Sequence, residues 1–200
     1  MRLVTNSIYF SDEAISMPKK TRLNLSVYDR VKRASLALIL FSTFLGMSFE
    51  IQQTIFYFIP LSISYLALLI FGWLNRNSFS QLDEKFSLSV KLYYVMIVGI
   101  IISILSEVVT YLKVDIELFS ILQIVGTLLI LSYLFDYSLE VIRLGDDFNS
   151  RGLKIASLII ALSIPVYLII GAIPFALLIT SGGMYEYIEL TKIITLYKRK

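Results

Sequence analysis

The stretch from Leu153 to Leu190, LKIASLIIALSIPVYLIIGAIPFALLITSGGMYEYIEL, carries no charge between Lys154 and Glu186. A bilayer-spanning helix needs about 20 apolar residues. The run is therefore either one overlong, tilted span or two spans folded back at Gly171-Ala172-Ile173-Pro174. Pro174 suits the first turn of a new helix, where a missing N–H forfeits no hydrogen bond, and Gly171 suits the end of the preceding one. Both alternatives commit the chain to the membrane. They differ in the number of spans and in the side on which the C-terminus lies.

Basic residues separate the alternatives, because Lys and Arg concentrate in cytoplasmic segments. With the N-terminus inside, six spans leave Lys113 as the one base outside, whereas five spans also move Lys192, Lys198, Arg199 and Lys200 out. Six spans with both termini cytoplasmic are expected, with five as the alternative. Of the 200 residues, 57% are hydrophobic and 16% charged, against about 25% charged in soluble domains. The expected fold is an all-α integral membrane bundle of three hairpins, multi-pass in the cell membrane. Residues 1–33 form a basic cytoplasmic leader with a juxtamembrane helix, 34–192 the bundle and 193–200 a basic tail.

In the leader the apolar core starts only after residue 33, so an uncleaved segment is expected rather than a secretory signal. Lys19, Lys20, Arg22, Arg30, Lys32 and Arg33 are placed to touch anionic headgroups. Ser26-Val27-Tyr28-Asp29 fits a capping box for a helix that continues into span 1, Ala34 to Phe49. Span 2 runs from Thr54 to Leu74, with Pro60 expected to bend it and Asn75-Arg76-Asn77-Ser78 read as a turn from composition. Ser80-Gln81-Leu82-Asp83 repeats the capping pattern before helix 3, which is expected to end near Tyr111. Span 4 runs from Leu118 to Leu139, followed by a polar segment from Asp136 to Gly152 in which Asn149 or Ser150 can cap the next helix.

Cysteine and histidine are both absent. This removes disulfides, thiolate metal sites and iron–sulfur ligation, together with the usual haem and copper ligands and the usual general base near neutral pH. No cofactor, metal or catalytic residue is expected, and no segment has the interleaved basic and aromatic pattern of a nucleic-acid surface. Asp146-Asp147 superficially resembles the aspartate pairs that bind magnesium diphosphates, but lacks further carboxylates at fixed spacing and reads as a solvated turn.

Depth sorts the acids. Asp136 and Glu107 fall near span ends and read as solvated. Glu186 lies only ~18 Å from Pro174 along a helix, inside the hydrocarbon, where a charge costs roughly 2.5–3.5 kcal/mol on insertion scales. Glu186, with Glu189, is the candidate ion or proton site, and snorkelling toward Lys192 or Lys154 is the expected structural outcome. Gly99 and Ser103 on helix 3, and Ala176, Thr180 and Gly183 on span 6, form small-residue faces for helix packing. Ser181-Gly182-Gly183 interrupts span 6 and reads as packing rather than as a broken-helix substrate site.

From Leu144 onward, LGDDFNSRGLKIASLIIALSIPVYLIIGAIPFALLITSGGMYEYIEL resembles the C-terminal half of small polytopic membrane proteins of thermophilic archaea, gathered in families of unknown function. The resemblance implies a multi-helix membrane fold and carries over no functional residues. The function expected first is a non-catalytic accessory or scaffold subunit, packed with another membrane protein or with its own copies. A small transporter or channel using an intramembrane carboxylate is the alternative, and an integral membrane enzyme comes third.

Overall fold

The computed structural model describes residues 25–51, 55–82, 84–112 and 116–198. Of the positions singled out above, Lys19, Lys20, Arg22, Thr54, Asp83, Lys113, Arg199 and Lys200 lie outside them. Six helices follow one another: α1 (Leu25–Glu50), α2 (Phe58–Phe79), α3 (Ser87–Tyr111), α4 (Ile116–Asp147), α5 (Arg151–Ile169) and α6 (Ala172–Lys198). Short 3₁₀ turns, Ile55–Tyr57 and Glu84–Phe86, precede α2 and α3. Among the described residues there is no strand.

Helices α1 to α5 are long and apolar enough to cross a membrane. Helix α6, at 27 residues, extends ~40 Å at 1.5 Å per residue. Its length is sufficient, and its apolar character is diluted by Glu186, Glu189 and Lys192 in the C-terminal half. It is nonetheless part of the same bundle, burying Phe175, Ile179, Leu190 and Ile193. The six helices fit a multi-pass membrane protein.

The break between α5 and α6 falls where Gly171 predicts it. Gly171 has φ +115°, a left-handed conformation that favours glycine. The amides of Ile170 and Gly171 both donate to the Val166 carbonyl, at 2.8 and 3.2 Å, closing the end of α5. Pro174 is the third residue of α6, within the turn whose amides have no helical acceptor.

Each helix packs on its neighbours in the chain, and α6 packs back on α1, so the bundle closes into a ring of three hairpins. Tyr28 at the start of α1 meets Phe148 at the α4–α5 corner with ring centroids 4.9 Å apart, and Phe148 meets Tyr197 near the end of α6 at 5.9 Å. The first and last helices therefore begin and finish at one end of the bundle. All described Lys and Arg residues belong to that end: Arg30, Lys32 and Arg33 within the first nine residues of α1, Arg76 in the last turn of α2, Lys85 and Lys91 just before and early in α3, Arg143 near the end of α4, Arg151 and Lys154 at the start of α5, and Lys192 and Lys198 within the last seven residues of α6.

Inside lipid the hydrophobic effect does not draw helices together, so close backbone approach and hydrogen bonds do the work. At the α3–α4 crossing a Cβ on Gly99 would stand 2.8 Å from the Gly126 carbonyl, and one on Gly126 would stand 2.9 Å from the Gly99 carbonyl. Serines span the seams: Ser64 of α2 donates to the Phe41 carbonyl of α1 at 2.9 Å, Ser106 of α3 to the Phe119 carbonyl of α4 at 2.5 Å, and Ser157 of α5 to the Ser138 carbonyl of α4. Ser42 and Thr180 share a bond of 2.8 Å between α1 and α6.

Four local expectations need correction. Asn75 to Ser78 are helical, not a turn: Asn75 and Ser78 are buried, and the Arg76 guanidinium lies over Tyr93 and Tyr94 at 5.7 and 5.2 Å. Helix α4 runs on to Asp147, because Tyr137, Val141 and Leu144 continue its buried face past Leu139. Pro60 stands in the first turn of α2, where it interrupts no hydrogen bond. Gly182 and Gly183 do not interrupt α6: Gly182 faces Ile160 and the Ala156 carbonyl of α5, and Gly183 faces Ile39 and the Ser35 carbonyl of α1.

Candidate ion site inside the helix ring

Helix α4 carries Tyr133, Asp136, Tyr137 and Glu140 at steps of three, one and three, which places all four on one helical face. That face is turned inward and all four are buried. Tyr137 donates its phenol proton to Glu186 Oε1. Ser35 of α1 reaches the same oxygen at 2.9 Å, while also standing 3.2 Å from the Val31 carbonyl of its own helix. Glu186 is 0% exposed, and its second oxygen, Oε2, has no hydrogen-bond partner. Three helices thus converge on one carboxylate and satisfy half of it.

The bases expected to draw Glu186 outward are engaged elsewhere. Lys192 Nζ is 2.6 Å from Glu189 Oε1, and Lys154 Nζ is 2.6 Å from Asp146 Oδ1. The snorkelling expectation for Glu186 therefore does not hold. The linear rise along α6 fixes depth but not the direction in which a side chain points, and residue 186 shares the inward face with Gly182, Gly183 and Leu190.

Glu189 has a different task. Ser150 is the N-cap of α5, its Oγ accepting from the Leu153 amide at 3.3 Å. The Glu189 carboxylate lies so close over Gly152 that a Cβ there would collide with it. A negative group beside the free amides of a helix start is favoured by the helix dipole, and Lys192 completes the arrangement. Glu189 ties α6 to α5 and does not join Glu186.

Two more acids line the inward side of α4. Asp136, 5% exposed, accepts from Ser89 of α3. Glu140 is paired with Arg143 at 2.8 Å and leaves Oε2 unpartnered. Asp136 is thus buried and hydrogen-bonded across helices, not solvated at an interface. Asn75, with neither side-chain atom partnered, and the Tyr133 hydroxyl are also buried without partners.

At the end of the bundle opposite the basic residues, all six helices enclose a cavity of about 60 Å³. Its polar lining includes Glu107, Gln123, Tyr57 and Tyr65. Glu107 accepts from the Tyr57 hydroxyl at 3.1 Å and from Gln123 Nε2 at 3.2 Å. Along α1, Ser48 lines this cavity, Ser42 bonds Thr180, and Ser35 reaches Glu186. Ser35 and Ser42 are seven residues, about two helical turns, apart on one face, and Ser48 lies about 120° round the helix from Ser42.

The remaining sequence-selected residues lie as follows. Gly99 and Ser103 are buried at the α3–α4 crossing. Ala176 is buried, and its Cβ would lie 3.3 Å from one added to Gly46 of α1. Thr180 and Gly183 are on the α1–α6 contact. Arg30 donates to Gln81 at 2.5 Å, while Lys32 and Arg33 pair with Asp29 at 3.0 and 2.9 Å. Asp147 pairs with Lys85 and Asp146 with Lys154, so the two aspartates diverge. Ser35, Tyr137, Ser89, Asp136 and Gly126 were missed as members of the interior network. The signal for the α4 pair was its spacing with Tyr133 and Glu140.

Compared with protein families, with curated proteins and with solved structures, the chain finds no match.

Proposed function

We propose that the protein is a small membrane transporter or channel in which Glu186 binds the moving ion, a proton in the simplest case. The observation that carries this is the state of the Glu186 carboxylate: fully buried, without a basic partner, and with one oxygen free of hydrogen bonds. A carboxylate retained only for structure at this depth would be better served by a Lys or Arg partner, since ionisable groups within spans are expensive and mark ion pathways. Between the cavity and Glu186, the Ser42–Thr180 pair offers one polar station on the α1–α6 contact. By the positive-inside bias the basic end of the bundle is cytoplasmic, with both termini on that side.

The test is proton flux in liposomes carrying a trapped pH indicator, with the unmodified protein, Glu186→Gln and Ser35→Ala. Flux in the unmodified protein, abolished by Glu186→Gln and slowed by Ser35→Ala, is the expected result. Flux indifferent to Glu186→Gln, or its absence from the unmodified protein under an imposed gradient, defeats the proton-path reading.

An accessory or scaffold subunit is the second reading. It draws on the apolar outer face shared by Leu158 and Leu162 of α5 with Leu177 and Met184 of α6, all exposed. Purification in mild detergent with mass analysis of co-purifying chains tests it: a stable stoichiometric partner favours the subunit.

A further inference from the structure

The seam between α2 and α3 contains a groove of about 290 Å³, lined by Leu61, Leu66, Leu69, Ile104 and Val108. Its outer residues Leu66, Ile104 and Val108 are exposed on the side that would face lipid. Tyr65 and Glu107 close its inner edge, and both also line the central cavity, as does Leu61. An apolar slot open to the bilayer and a polar chamber therefore share a wall that contains a carboxylate.

The chamber has a definite chemical bias. Glu107 is its one charged group, with no Lys or Arg in the lining, and Tyr57, Tyr65, Tyr167 and Phe175 surround it. Aromatic faces and a carboxylate both attract cations. Two buried atoms of the lining have no partner: Ser103 Oγ, on a residue 1% exposed, and Gln123 Oε1. The lining holds hydroxyl donors in Tyr57, Tyr65 and Tyr167 but no cationic one, so Gln123 Oε1 and the Glu107 carboxylate, which accept, are left open to a charged donor. A primary ammonium supplies three donors and a positive charge. An alcohol supplies one donor and no charge, and a carboxylate meets Glu107 with repulsion.

We infer that the α2–α3 seam and the chamber behind it form a binding site for single-chain amphiphilic amines. The aliphatic chain lies in the groove and the ammonium group reaches Glu107, Gln123 and Ser103. The slot lies between two helices, and its volume of about 290 Å³ suits one aliphatic chain rather than two. The chamber is the one from which the proposed ion path leaves, but Glu186 is not among its lining residues, and the labelling below reads the site without reference to ion flux.

The test uses long-chain primary amine, alcohol and carboxylate probes of equal length, each with a diazirine at the chain end. They are photolysed with the full chain in nanodiscs and mapped by peptide mass spectrometry. The amine should label α2 and α3 around Leu66 and Ile104, exceeding the alcohol and the carboxylate there by about tenfold, which corresponds to 1.4 kcal/mol. Glu107→Gln should remove that excess. Ile104→Trp, which fills the groove and leaves Glu107 in place, should lower labelling by all three probes. Equal labelling by the three probes on the unmodified protein, or amine labelling spread evenly over all outward helix faces, overturns the inference without reliance on any variant. Equally strong labelling of the seam by a two-chain aminophospholipid probe overturns the single-chain assignment.

Discussion

Tyr137 and Glu186 are 49 residues apart in the chain and share one buried hydrogen bond at the centre of the ring. The bond joins α4 to α6, which are not neighbours around the ring, so the tyrosine reaches across the interior. Substitutions at Glu186 should separate structural from chemical roles. In Glu186→Gln an amide oxygen can still accept from Tyr137 and Ser35, so stability should change by less than about 1 kcal/mol. Glu186→Leu leaves the buried Tyr137 hydroxyl without its acceptor, while Ser35 keeps the Val31 carbonyl, and should cost about 1–3 kcal/mol. Reversible unfolding in mixed detergent micelles measures both. Equal losses in the two variants would show that the Tyr137 hydroxyl finds another partner.

The two packing glycines should respond differently to the smallest substitution. A Cβ on Gly99 meets the Gly126 carbonyl, a backbone atom that cannot step aside. On Gly183 it meets Ile39 Cγ1 at 3.0 Å, a side chain able to rotate. Gly99→Ala should cost about 1–3 kcal/mol, in the range of overpacked cores, and Gly183→Ala distinctly less. Leu at either position should be severe. Detergent melting curves with Gly183→Ala as the more damaging change would reverse the assignment.

At the α5 start the cap should matter more than the ion pair above it. Ser150→Ala removes the acceptor for the Leu153 amide and should cost about 0.5–2 kcal/mol. Lys192→Ala breaks a pair in which the lysine is largely exposed and should cost about 0–1 kcal/mol. The same unfolding assay decides, and a larger loss for Lys192→Ala would mean that holding the Glu189 carboxylate in place matters more here than the cap.

Topology can be read with single cysteines, because the native chain has none. Arg33→Cys and Lys198→Cys should react with an impermeant thiol reagent only after cells are opened, and Ile51→Cys in intact cells. Labelling of Lys198→Cys from outside, with Arg33→Cys protected, contradicts an even number of crossings.

The hairpins and the break at Gly171 were legible because they follow from chain-local physics: apolar length, a residue suited to a left-handed turn, and a proline suited to a first turn. Composition misled where tertiary partners override it. Asn75 and Ser78 have turn-forming side chains, yet Ser78 spends its hydroxyl on the Leu74 carbonyl, and Asn75 is enclosed by the bundle. The interior polar network was hidden for another reason. Tyr133 and Tyr137 carry no local sign of their direction, and only the azimuth of α4, which its neighbours set, turns them inward. Glu186 was recognised by depth, but its partners on α1 and α4 are far away in sequence and no local pattern links them.

Ring closure by α6 also has a consequence for how the protein is made. Until Ala172–Lys198 has emerged from the ribosome, Ser35 and Ser42 of α1 have no neighbour on that side, and Tyr137 has no carboxylate to donate to. Helix α6 thus follows its partners out of the ribosome and enters a membrane already holding the hydroxyls that receive its acid. Polar groups facing lipid are costly, so a chain stopped after α5 presents a recognisable defect to quality-control proteases. Helix α6 serves as the checkpoint for ring closure.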